Sequence, residues 1–150
     1  GHLPQVAPHA EVVEACRRAT LEFERLAHGF DAHGALAVAE ELCRQENKRW
    51  DDASKAAKGD DAAYEQALAD AFCALRTVTL LMHPAVPSGC EKICEHMGFG
   101  AEDFFSWKHA FDGPVELAAT LGQMPVEHAI VPLPPRFDFF EKHPSQVKKK

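Results

Sequence analysis

The sequence has no apolar run near the eighteen or so residues that a membrane-spanning helix needs, and almost no strand signal, with Ala129-Ile130-Val131 the only short extended candidate. It has no glycine-rich phosphate loop, no His-Glu-x-x-His and no Gly-x-Ser-x-Gly, which leaves the nucleotide-binding, metalloprotease and serine-hydrolase patterns without support. It lacks an excess of positive charge: the formal net charge is −7. A sequence-blind phosphate binder has the opposite sign, so any contact with nucleic acid is expected to be local and directed at bases. There is no Cys-x2-Cys knuckle, internal repeat or low-complexity segment.

What remains is a chain of 150 residues that is 46% hydrophobic, enough for one domain with a real core. Its five cysteines, Cys16, Cys43, Cys73, Cys90 and Cys94, fall mostly on apolar helix positions. They read as reduced, packed thiols of a cytoplasmic protein rather than a disulfide framework. The start, Gly-His-Leu-Pro, lacks both an initiating Met and a basic-then-apolar leader, and is expected to include a cloning remnant.

In chain order, residues 1–10 hold two prolines without periodicity and read as a linker or extended arm. A helix from about Glu11 carries Val12, Cys16, Ala19, Phe23 and Leu26 on one stripe and stops at Gly29. Asp31 is placed to cap a second helix, whose stripe Leu36, Ala39, Cys43, Glu46, Trp50 and Ala53 is interrupted by one glutamate. Gly59 ends it. A third helix from about Ala62 to Met82 presents Leu68, Phe72, Leu75, Val78 and Met82. Pro84 and Pro87 break it, because proline lacks the amide donor a helix interior needs. Pro87 suits the first turn of a fourth helix over about Ser88–Met97, with Gly98 as its left-handed stop. Beyond lie an aromatic loop or short helix through Trp107, a Gly113-Pro114 turn, a helical turn from Val115 to Leu121, and a proline-rich stretch from Val126 to Phe140. The fold class is therefore all-α: about four main helices, with the irregular proline-rich segment packed over them and residues 143–150 as a basic tail.

Candidate chemistry is sparse. Cys90-x3-Cys94-x-His96, with His83 nearby, comes nearest to a metal cluster. His96 points away from the two thiols, and zinc demands four converging ligands, so core packing accounts better for them. No catalytic constellation is complete. Trp107, beside Phe104, Phe105 and Lys108, is either an end cap of the core or an exposed platform on which an unpaired base stacks. Arg44 and Asn47 share a polar face of the second helix, where they form either a solvated surface, with Glu40 and Arg44 an i,i+4 pair, or a set of donors suited to base edges and phosphate. Trp50 reads as packing.

The string Leu75-Arg76, Leu80-Leu81, Pro84, Pro87, Ile93, Met97-Gly98 resembles the C-terminal helical domain of methionyl-tRNA synthetases. Ala35-Leu36 with Glu46-Asn47, the segment Phe104 to Trp107, and Pro132 to Asp138 (PLPPRFD) are similar to further elements of that family, in the same order. The resemblance runs from about Pro4 to Lys142. The family's Ala-Pro-Trp is replaced here by Asp52-Ala53-Ser54-Lys55. The resemblance implies an anticodon-binding helical bundle over residues 11–142 that recognises the CAU anticodon of methionine tRNA. Trp107 would stack on a base, and Asn47 and Arg44 would read polar edges. It also implies that this chain is an excised piece without a catalytic site or cofactor of its own. The ATP site, and in some members zinc, would belong to an absent catalytic half, the other expected partner. Two other readings compete: a helical protein-interaction module without an RNA role, and a small thiol or metal enzyme.

Overall fold

The computed structural model describes residues 3–121. Helix α1 (Ala10–His28) buries Val12, Cys16, Thr20 and Phe23, the expected stripe with Thr20 added. A buried threonine is tolerated there because its hydroxyl donates to the Cys16 carbonyl one turn back, at 2.9 Å. The helix stops at Gly29 as expected, but the left-handed residue comes one position later. Gly29 keeps φ at −81°, and it is Phe30 that turns left-handed, with φ 61°. The Asp31 amide donates to the Leu26 carbonyl at 2.9 Å and the Phe30 amide to that of Ala27 at 3.0 Å, the pair of bonds that closes a helix end. Asp31 then caps α2 (Ala32–Ala56), its Oδ1 accepting from the Gly34 amide at 2.8 Å.

Gly59, with φ 87°, turns the chain into α3 (Asp61–Met82), which Asp60 caps through the Ala63 amide. Helices α1, α2 and α3 pack pairwise as a three-helix bundle, and α3 also touches α4 (Pro87–His96) and α6 (Pro114–Thr120). That central position corrects the sequence reading of α3. The stripe Leu68, Phe72, Leu75, Val78, Met82 is only partly covered, and Leu75 is 37% exposed. The fully covered positions are small or polar: Ala67, Ala69, Cys73, Ala74, Arg76, Thr77 and Thr79, along with Leu80 and Leu81. A helix enclosed on several sides needs small residues where neighbours approach closely, so its bulky residues drift to the rims.

The proline corner forms as expected. Pro87 occupies the first turn of α4, Gly98 has φ 79°, and the Phe99 amide donates to the Cys94 carbonyl at 3.2 Å. Cys90, Ile93, Cys94 and Met97 all face inward. With Leu3, Phe99, Phe104 and Leu117 the last three of these form a second core beside the bundle. Short helix α5 (Ala101–Phe104), a 3-10 turn over Trp107–His109 and α6 complete the described chain, an all-α architecture without strand among the described residues.

Residues 3–9 run as an arm without helix, but they are anchored. Leu3 is fully buried. Gln5 N donates to Glu65 Oε1 at 2.9 Å, Gln66 Nε2 to the Ala7 carbonyl at 2.8 Å, and His9 N to Asp70 Oδ1 at 2.7 Å. The expectations for Val126–Phe140 and for the tail at 143–150 lie outside the described residues. No helix among the described residues is long and apolar enough to cross a membrane.

Candidate nucleic-acid interface

The aromatic segment after Gly98 divides sharply. Phe104 is wholly buried, in ring contact with Phe99 and Phe105 at centroid distances of 5.6 and 5.0 Å. Phe105 stacks on His83 at 3.7 Å and 11°, which ties α5 to the proline corner. Three residues on, Trp107 stays 48% exposed. Ser106 caps the 3-10 turn by accepting from the Lys108 amide at 3.3 Å. This turn lays the indole against Phe23 of α1, with centroids 6.2 Å apart and planes 31° from parallel. Glu24, Ala27 and His28 border the resulting depression, about 340 Å³ in volume. One indole face therefore rests on protein while the other part of the ring meets solvent. Trp107 therefore covers part of the bundle's flank and keeps about half of its surface open to solvent.

Arg76 holds this segment in place. It has 0% exposure, an uncommon burial for a cation. Its guanidinium lies 4.5 Å from the Phe104 ring centroid, and Nη2 donates to the His109 carbonyl at 3.2 Å. These contacts bracket Trp107 on both sides. His109 Nδ1 lies 3.0 Å from Asp112 Oδ2, adding a local link. Burial brings the Arg76 pKa down to about 10, against the opposing pull of Asp112 and the neighbouring thiols, so the side chain is still a cation at neutral pH. The sequence reading quoted Arg76 only as part of a helix string. The signal that could have singled it out is a lone charged residue in the otherwise apolar and small run from Ala71 to Met82.

Arg44 and Asn47 lie elsewhere. Arg44 is exposed and pairs with Glu41, not Glu40 as the spacing suggests. A glutamate at i−3 lies as close on the helix surface as one at i−4. Asn47 borders a cleft between α2 and α3 of about 230 Å³, together with Trp50, Cys43, Leu75 and Val78. Its Nδ2 is 3.5 Å from Cys43 Sγ. Trp50 is half-buried and meets Tyr64 at 5.9 Å, so it packs at a rim rather than inside. The depression at Trp107 and the cleft at Asn47 share no residue. The three residues singled out in the sequence thus divide between two faces.

Further polar groups are buried within the bundle. Glu46, the interruption in the α2 stripe, is buried and 3.1 Å from Arg49, which also pairs with Glu11 of α1. Burial raises the Glu46 pKa above its ordinary value. Burial likewise pushes the Cys90 and Cys94 thiols to about 11 and about 12. A hydrogen bond to Cys16, together with burial, raises that of Cys73. Thiols held protonated and away from solvent are poor nucleophiles. No group of three or more His, Cys, Asp or Glu among the described residues is arranged to hold a metal ion.

No protein-family model matches the chain, and no solved structure does. A methionine–tRNA ligase of Methanoculleus marisnigri is 27% identical over 104 residues, which cover 65% of this chain. The chain spans only 15% of that protein's length. It is thus similar, over most of its residues, to one region of an aminoacyl-tRNA synthetase.

Proposed function

We propose that this chain is the anticodon-reading helical domain of a methionyl-tRNA synthetase and binds unstacked bases of the CAU anticodon loop of methionine tRNA. The observation that carries the reading is the Trp107 indole, 48% exposed yet seated on Phe23 and bracketed by the buried Arg76 contacts. A fixed, half-exposed ring is what base stacking requires, since no ordering cost remains to be met on binding. The similarity to part of a methionine–tRNA ligase supports the same reading. Asn47 and Arg44 would serve as a separate set of polar contacts on the α2 face. Activation of methionine and its transfer to tRNA would belong to the rest of the parent enzyme.

The test is binding of a fluorescently labelled methionine-tRNA anticodon stem-loop to the wild-type chain and to Trp107→Ala. Loss of one stacked base weakens affinity by about 1–3 kcal/mol, roughly five- to 150-fold. Equal affinity for both proteins sinks the stacking role.

A further inference from the structure

We propose that the RNA-binding face continues past Trp107 to a second nucleotide subsite formed by Phe111 and Arg17; this rests on the anticodon-binding function proposed above. Phe111 is 49% exposed, as open as Trp107 itself. It lies over α1 beside Val13, Arg17 and Thr20, and the Arg17 guanidinium sits 5.1 Å from its ring centroid. The two aromatics are thus laid along one helix, Trp107 near Glu24 and Phe111 near Arg17. Seven residues of helix separate those two levels, about 10 Å at 1.5 Å per residue. That exceeds the rise of about 3.4 Å between stacked nucleotides. A strand spanning both rings is therefore splayed, the form in which loop bases are read.

Charge points the same way. On α1, Arg18 faces Glu14 and Arg25 is bonded to Glu22 at 2.6 Å. Arg17 has no such carboxylate partner among the described residues; its contact is the Phe111 ring. Lys108, next to Trp107, is likewise in no ion pair among the described residues. In a chain of net charge −7, this face joins two half-exposed rings to two cations outside any ion pair among the described residues, with Glu24 the carboxylate that borders the Trp107 depression. Stacking rings beside cations that meet the backbone are the means by which single strands are held. Single-stranded RNA, with base faces to stack and phosphates to meet the cations, uses both.

The experiment measures binding of the labelled methionine-tRNA anticodon stem-loop across a salt series, with thermal melting as the folding control. Phe111→Leu keeps an apolar side chain on α1 but removes the stacking face, and is expected to weaken binding about ten-fold. Phe111→Trp is expected to bind at least as tightly as wild type. Arg17→Gln is expected to lower the slope of log affinity against log salt by about 0.7, one phosphate contact on a single strand. If Trp107→Ala loses affinity while Phe111→Leu and Arg17→Gln bind as wild type does, the subsite is overturned and the stacking role of Trp107 stands. If Phe111→Leu loses affinity and Trp107→Ala does not, the subsite stands and the role of Trp107 falls. Absence of binding by the wild-type chain overturns both.

Discussion

Two grooves flank α3, and they met different fates. The groove between α1 and α3 is filled: the segment from Trp107 to Gly113 lies in it, and the space left beneath Phe111 is about 10 Å³. The groove between α2 and α3 stays open, with about 230 Å³ bordered by Asn47, Trp50, Leu75 and Val78. Both are walled by apolar and small residues, so hydrophobicity alone does not explain the contrast. The difference is Arg76. Its side chain enters the region between α3 and α5 and offers donors that an incoming backbone carbonyl meets, with the Phe104 ring as a second partner. Guanidinium Nε and Nη1 have no hydrogen-bond partner among the described residues. A buried cation whose hydrogen bond goes to one segment ties that segment down, because removing it would leave the charge with no acceptor in a low-dielectric interior. On the open side, Asn47 and the rim aromatics impose no such demand.

The largest test of this contrast is Phe104→Ala. The ring is wholly buried and touches Arg76, Phe99 and Phe105. Its loss leaves a cavity and is expected to cost about 3–5 kcal/mol, read as a lower denaturant midpoint. In a Trp50→Phe background, the Trp107 emission should also shift to longer wavelength as its seat loosens. An unshifted emission would show that the seat does not depend on the α5 anchor.

Trp50→Ala is the matched change on the open side. Part of that ring is already in water, so the expected loss is roughly 1–2 kcal/mol. Binding of the anticodon stem-loop should fall less than in Trp107→Ala. The reverse order would transfer the RNA-reading role to the α2/α3 cleft and its neighbour Asn47.

The smallest effect is a dependence of stability on pH. His9 Nδ1 donates to Asp70 Oδ2 at 2.8 Å, and this bond, with the carboxylate charge, raises the His9 pKa above 6.5. A folded-state pKa above the unfolded one means that the folded chain holds the proton more tightly. The stabilisation is therefore complete below pH 6.5 and fades as pH rises through the elevated folded value. Buried Glu46, also raised, acts with the same sign at lower pH. The imidazole is solvent-exposed, so the His9 contribution is about 0.5 kcal/mol or less. Melting temperatures at pH 5.5 and 8.5 should differ less in Asp70→Asn than in wild type.

Much of the fold was legible in the chain because its signals are local. Asp31 sits where a capping aspartate belongs, Pro87 opens a helix, and Gly59 and Gly98 adopt the left-handed turns that glycine permits. Phe30 escaped notice because an aromatic residue with positive φ contradicts its own preference; the two capping hydrogen bonds around it offset that strain. The α3 stripe was misplaced for a different reason. Periodicity identifies an apolar face, whereas a helix with neighbours on several sides buries its small residues most deeply. The arm before α1 carries no periodicity at all, so its anchoring at Leu3 and Asp70 could not be read from pattern.

The candidate site shows the same division. The sequence by itself determined that the chain is helical, that it turns at a proline corner, and that an aromatic cluster follows that corner. These follow from backbone chemistry within a few residues. Only the tertiary structure decided that Phe104 goes inward while Trp107 stays half in water, that Arg44 and Asn47 lie apart from Trp107, and that Arg76 holds the segment from Phe104 to His109. Burial is a property of contacts between residues far apart in the chain: Arg76 meets the His109 carbonyl thirty-three positions away, and Trp107 meets Phe23 across a still longer span.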